Sequence, residues 1–93
     1  MALSWVQVVG ASRGRDVFVG SNDIDPAGQV CTPFEVQTGQ NTFRLLRDDG
    51  SEEDRRVVAV LQHDQANPQV VDFGGPERCA GQSTAGSGGG DPP

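Results

Sequence analysis

Two acidic groups have the residue types for binding chemistry. Asn22, Asp23 and Asp25 are near neighbours, and a second run holds Asp48, Asp49, Glu52, Glu53 and Asp54. Calcium takes about six to eight oxygens from carboxylates and carbonyls, so the types fit. The spacing does not, because the fixed ligand positions and mid-loop glycine of an EF-hand are absent. Two solvated, self-repelling surface loops are expected instead, and no metal. His63-Asp64 has the composition of a triad fragment. Catalysis would need a nucleophile on a rigid turn beside an oxyanion hole, and no GxSxG occurs. Arg13 and Arg15 share one loop, and Arg55-Arg56 lead a later apolar run. They are placed to pair with the acidic run or to meet a partner. Exposed pairs contribute only ~0–1 kcal/mol, so they serve specificity more than stability.

Val8 to Gly14, VVGASRG, looks like the opening of the dinucleotide loop of short-chain dehydrogenases. There a glycine-rich turn lets the backbone approach a pyrophosphate at a helix N-terminus. Here Arg15-Asp16 interrupts the glycine pattern, and the apolar run VFVG follows at once with no helix. A hairpin loop is expected, with no cofactor and no small-molecule substrate. Cys31 and Cys79 belong to no CxxC pair, and a single His accompanies them, which leaves no zinc set. A bridge between them would close a long loop and add about 4 kcal/mol in the chain-entropy model. For a cytoplasmic product two thiols are expected.

The net charge of −6 argues against direct binding to a phosphate backbone or an anionic membrane surface. It leaves open an acidic inhibitor of the anti-CRISPR or DNA-mimic type, bound to a basic site on a protein. No apolar run is long enough to cross a bilayer. MALSWVQVVG is too short and too uncharged for a signal peptide, and no Ala-x-Ala site follows. The expected location is therefore cytoplasmic or within a virion.

The elements that must position these residues read as strands. LSWVQVV (3–9) is β-branched and apolar on both sides. DVFVG (16–20) follows a Gly/Ser/Arg loop. SNDIDPAGQ (21–29) is dense in turn formers, with Ile24 as its one anchor in the core. TPFEVQTGQNTFRLLR (32–47) alternates on either side of Thr38-Gly39-Gln40-Asn41 and reads as a hairpin, the central pair of the module. DDGSEED (48–54) reads as an acidic loop. In RRVVAVLQ (55–62), Val57, Ala59 and Leu61 oppose Val58 and Val60. HDQANP (63–68) is a turn. In QVVDF (69–73), Val70 opposes Val71 and Phe73. About six short strands without a helix indicate an all-β fold, a small antiparallel β-sandwich or barrel. Residues 1–73 form that domain. Residues 74–93, rich in Gly, Ser and Pro, read as a flexible tail.

From Asp16 to Leu46 the chain resembles the PEGA domain. The matching features are Val17-Phe18-Val19-Gly20, Gly28, Thr32-Pro33, Gly39 and Phe43-Arg44-Leu45, continued by Gly50 and Val57 to Val60. The resemblance covers about half the chain and lacks the Pro-x-Gly-Ala that names the family. It implies a small β-sandwich used as a surface or assembly module, without catalysis, and it transfers no functional residues.

These readings converge on a non-enzymatic structural or protein-interaction module, a subunit or decoration protein of an assembly such as a phage particle. Its partner would be another protein or further copies of itself. The edge strands 3–9 and 69–73 are placed to extend a neighbour's sheet. The candidate partner-binding residues are Arg13, Arg15, Asp23, Asp25, Asp48, Asp49, Glu52 and Glu53, in the loops at 10–16, 21–29 and 48–55.

Overall fold

The structure, a computed structural model, describes residues 2–79. The described chain is all β. Its strands are β1 (Leu3–Val9), β2 (Asp16–Val19), β3 (Gly28–Gln29), β4 (Phe34–Gln37), β5 (Gly39–Leu46), β6 (Glu52–Val60) and β7 (Gln69–Asp72). They form a three-stranded sheet in the order β4-β1-β7 and a four-stranded sheet in the order β3-β2-β5-β6. All pairings are antiparallel except β1 with β7. Among the described residues no helix is long and apolar enough to cross a membrane.

Period-two alternation builds the core. β1 turns Val6 and Val8 inward, β4 Phe34 and Val36, and β7 Val71, followed by Phe73. From the other sheet come Val17, Phe43, Leu45 and Val60. These side chains form one buried cluster shared by both sheets, as a sandwich requires. The faces read for β6 and β7 hold: Val60 is buried while Val57 and Leu61 are exposed, and Val71 is buried while Val70 is exposed. Trp5 is half-buried on the outer face of β1.

The expected hairpin at 32–47 is not one. β4 pairs with β1, and β5 pairs with β2 and β6, so the Thr38-Gly39 corner carries the chain from one sheet to the other. The Thr38 N–H still donates to the Ala2 carbonyl, extending the β4–β1 ladder. Gly39 then turns at φ +106°, a conformation that glycine adopts without a Cβ penalty. Asn41 braces the corner by donating to the carbonyls of Gln37 and Gly39. The Thr38-Gly39-Gln40-Asn41 stretch changes the chain's direction without pairing the two strands it joins. Which strands pair was not encoded locally.

Four further expectations are corrected. The strand at 3–9 is central in its sheet rather than an edge. β7 is an outer strand, but its open side faces β6 and is bridged by side chains. Gln69 donates to the Ala59 carbonyl and accepts from the Leu61 N–H, while Arg56 donates to the carbonyls of Asp72 and Phe73 and lies 5.2 Å from the Phe73 ring centroid. Ile24 does not anchor its loop and is 85% exposed. Asn22 Oδ1 accepts from the N–H groups of Ile24 and Asp25, which closes the turn outside the core, and Val30 is buried instead. The acidic segment is only in part a loop, because Glu52, Glu53 and Asp54 lie in β6, where each has an arginine partner.

The fourth correction concerns the cysteines. Cys31 and Cys79 are bonded to each other, with Cα atoms 5.3 Å apart. The two-thiol expectation followed from a cytoplasmic premise, whereas the fold brings both residues to the same stretch of β1. Cys31 N–H donates to the Val8 carbonyl, and the Cys79 sulfur lies 4.0 Å from that same oxygen. Residues 74–79, read as the start of the tail, are thereby held. Gly75 N–H donates to the Gly10 carbonyl, and Cys79 is buried. The rest of the tail, residues 80–93, lies outside the described residues.

Candidate functional site

The loop between β1 and β2, the turn between β5 and β6, and the loop after β2 meet at one end of the sandwich. Local hydrogen bonds shape each of them. In the first loop, Arg15 N–H donates to Ser12, Gly14 N–H to Val30, and Val30 N–H back to Arg15. In the second, Arg47 N–H donates to Ser51 and Gly50 N–H to Arg47. Asp49 closes that turn by accepting from both the N–H and the hydroxyl of Ser51.

Arg15 ties the first loop to the second. Its Nη2 donates to the Leu46 carbonyl at 2.8 Å and to Glu53 Oε1 at 2.5 Å. Arg47 continues the clasp, donating to Ser51 Oγ and to the Glu52 carbonyl. Arg44 ties down the third loop. It is buried, donates through Nε to the Gly20 carbonyl and through Nη2 to Asp23, and lies 3.7 Å from Glu52. Glu52 also takes a two-bond contact from Arg55. The resulting row, Asp23–Arg44–Glu52–Arg55, alternates in sign.

Two adjoining grooves run between these loops and share Arg15, Leu46, Arg47 and Asp48. The larger, about 580 Å³, also has Arg13 and Glu53 in its wall. The smaller, about 350 Å³, also has Asp23 and Phe18. Of the residues expected to meet a partner, Arg13, Arg15, Asp48 and Glu53 therefore share one groove, and Asp23 joins through the second. Asp25, Asp49 and Glu52 line neither. Asp25 projects from the loop at 21–27, Asp49 is used within its own turn, and Glu52 belongs to the alternating row.

The arginines set the electrostatics. The hydrogen bond from Arg15 holds the Glu53 carboxyl below its ordinary value, and the one from Arg55 does the same for Glu52. The Ser51 hydroxyl and backbone lower Asp49. Arg55 is raised in turn by Glu52. All four groups are therefore charged at neutral pH.

The arrangement suits recognition of charge. Among the described residues no three His, Cys, Asp or Glu side chains converge on a common point, and the candidate calcium ligands are dispersed among arginines and turn contacts. His63 Nδ1 bonds the Asn67 carbonyl and Asp64 accepts from the Asn67 N–H, so both serve the turn at 63–68. Two residues escaped the sequence reading of the site, Arg44 and Arg47. A charged residue between Phe43 and Leu45 was a visible signal for Arg44. Nothing local marked Arg47. No family model, curated protein or solved structure matches the chain.

Proposed function

We propose that this protein is a non-enzymatic protein-interaction module that meets its partner through the grooved, loop-bearing end of the sandwich. The observation that carries this reading is the convergence of three loops on one surface, where opposite charges alternate on fixed backbone supports. Charge patterns of this kind select partners and set register. The finer reading is a subunit or accessory protein of a larger assembly, such as a phage particle. The Cys31–Cys79 bond supports a place of action outside the reducing cytoplasm, on a particle or surface. The acidic-inhibitor reading has less support, because Asp23, Glu52, Glu53 and Asp54 are each matched by an arginine and do not form a bare array of negative charge.

The test is size-exclusion chromatography with light scattering on the chain isolated from its native source. Co-elution with a stoichiometric protein partner, or self-assembly, is expected. A lone monomer from that source would remove the support for this function.

A further inference from the structure

Every Lys or Arg position of the chain is an arginine, and among the described residues all but one of these guanidiniums are engaged. Arg15, Arg44, Arg47, Arg55, Arg56 and Arg78 each donate to a carboxylate or a carbonyl. Among the described residues Arg13 makes no hydrogen bond or ion pair. Asp48 is in the same position: its carboxylate has no partner among the described residues, although Asp49, its neighbour, accepts two hydrogen bonds from Ser51. These two side chains line the same groove, about 580 Å³ in volume, and do not pair with each other. The other charges of that groove are spoken for, Arg15 and Glu53 by each other and Arg47 by Ser51 and the Glu52 carbonyl.

Resting on the interaction-module reading, we infer that this groove receives a partner protein segment carrying an acidic and a basic side chain close together, with the acid on Arg13 and the base on Asp48. The reasoning is by charge complement. A segment of acidic residues alone would gain Arg13 but meet Asp48 and a net charge of −6. A basic segment would gain Asp48 and the attraction of the acidic chain but would meet the unpaired Arg13 inside the groove. Like charges set opposite one another are costly at an interface, so the two free groups admit a mixed pair and reject either uniform run. Nucleic acid is disfavoured on the same ground, since its phosphates would meet Asp48 and a chain of net charge −6. Both groups stand on turns closed by backbone hydrogen bonds, so little backbone ordering entropy is spent in presenting them.

The experiment is selection of a random peptide library, displayed on phage, against the immobilised full chain. Enriched peptides are expected to carry Asp or Glu within a few residues of Lys or Arg. A synthetic copy of the strongest should lose about tenfold or more in affinity to Arg13→Glu and to Asp48→Lys, and little to Arg13→Lys. The double variant R13E/D48K should select peptides with the order of the two charges reversed. Both sites are exposed, and equal melting temperatures confirm that the variants fold. Enriched peptides that are apolar or singly charged, or binding indifferent to both reversals, would overturn the inference while leaving the interaction module standing. A library with no enrichment counts against both.

Discussion

Arg15 and Glu53 form the ion pair that fastens the loop before β2 to the strand after the acidic turn. The guanidinium lies 2.5 Å from the carboxylate, and the same nitrogen also reaches the Leu46 carbonyl. One side chain thus ties together the two loops that wall the groove lined by Arg13 and Asp48. Its effect should be on loop order more than on overall stability. Arg15→Ala is expected to speed amide exchange at residues 12–15 and 46–49 while shifting the global melting temperature little. Exchange unchanged in both stretches would show that the pair does not position the groove.

The same pair predicts a pH dependence. Glu53 is held below its ordinary value of 4.5, and Glu52 likewise. A carboxyl lowered in the folded state contributes stability that is present above its unfolded value and lost as pH falls through the folded value. The clasp should therefore be intact at pH 7 and should open in the acid range below about pH 4.5. Amide exchange of the loop before β2, corrected for intrinsic rate, should rise there. Glu53→Gln should show the rise already at neutral pH. An acid profile identical in wild type and Glu53→Gln would assign the effect to other carboxylates.

Gly28 lies under the Phe34 ring. A Cβ there would stand 2.2 Å from a ring carbon, so Gly28→Ala must displace an aromatic side chain of the core. The expected loss is about 1–3 kcal/mol by overpacking, or about 4–8 °C in melting temperature per kcal/mol for a domain of this size. Phe34→Leu in the Gly28→Ala background should recover part of it, since residues in contact couple. Strictly additive losses would deny the contact.

Gln69 closes the gap between the two sheets by imitating a strand, with one amide hydrogen bond given to Ala59 and one taken from Leu61. Gln69→Ala should cost about 0.5–1.5 kcal/mol and should expose the Leu61 N–H to exchange. Gln69→Glu keeps the acceptor but loses the donor, so the Leu61 N–H should stay protected. Protection lost equally in both variants would contradict this geometry.

The disulfide should be the largest single contribution. Closing the loop between Cys31 and Cys79 corresponds to about 4 kcal/mol in the chain-entropy model. Urea unfolding with and without reductant should show a fall of that order, matched by the double variant C31S/C79S. Two titratable thiols in the unreduced, unfolded protein would refute the bond.

The sequence made some of this legible for definite reasons. Alternation put Phe34 with Val36 and Phe43 with Leu45 on common faces, because the strand period is two, and all four side chains lie in the core. For LSWVQVV it left both sides apolar, and the fold turns Val6 and Val8 into the shared cluster while Val9 is buried as well. It could not say that β4 and β5 part company at Gly39, since pairing depends on the distant strands β1, β2 and β6. It read Glu52 to Asp54 as a loop because acidic residues are poor strand formers. Their neighbours Arg15, Arg44, Arg55 and Arg56 make the strand tenable, and two of those come from other elements. Arg13, Arg15 and Asp48 were singled out by type and loop position, and the fold brings them to one groove. Ile24 was misplaced because an apolar residue in a polar loop looks like an anchor, while the Asn22 turn directs it outward.

The central claim, that the loop-bearing end is the surface that meets a partner, is most directly tested by site-specific photo-crosslinking in the native source. A photoreactive residue would replace Ser12 or Asp48 at the groove, and Glu35 or Val57 on exposed strand positions away from it. Adducts to one protein species at Ser12 and Asp48, absent at Glu35 and Val57, are the predicted result. Adducts concentrated at Glu35 or Val57, with none at the groove, would contradict the account.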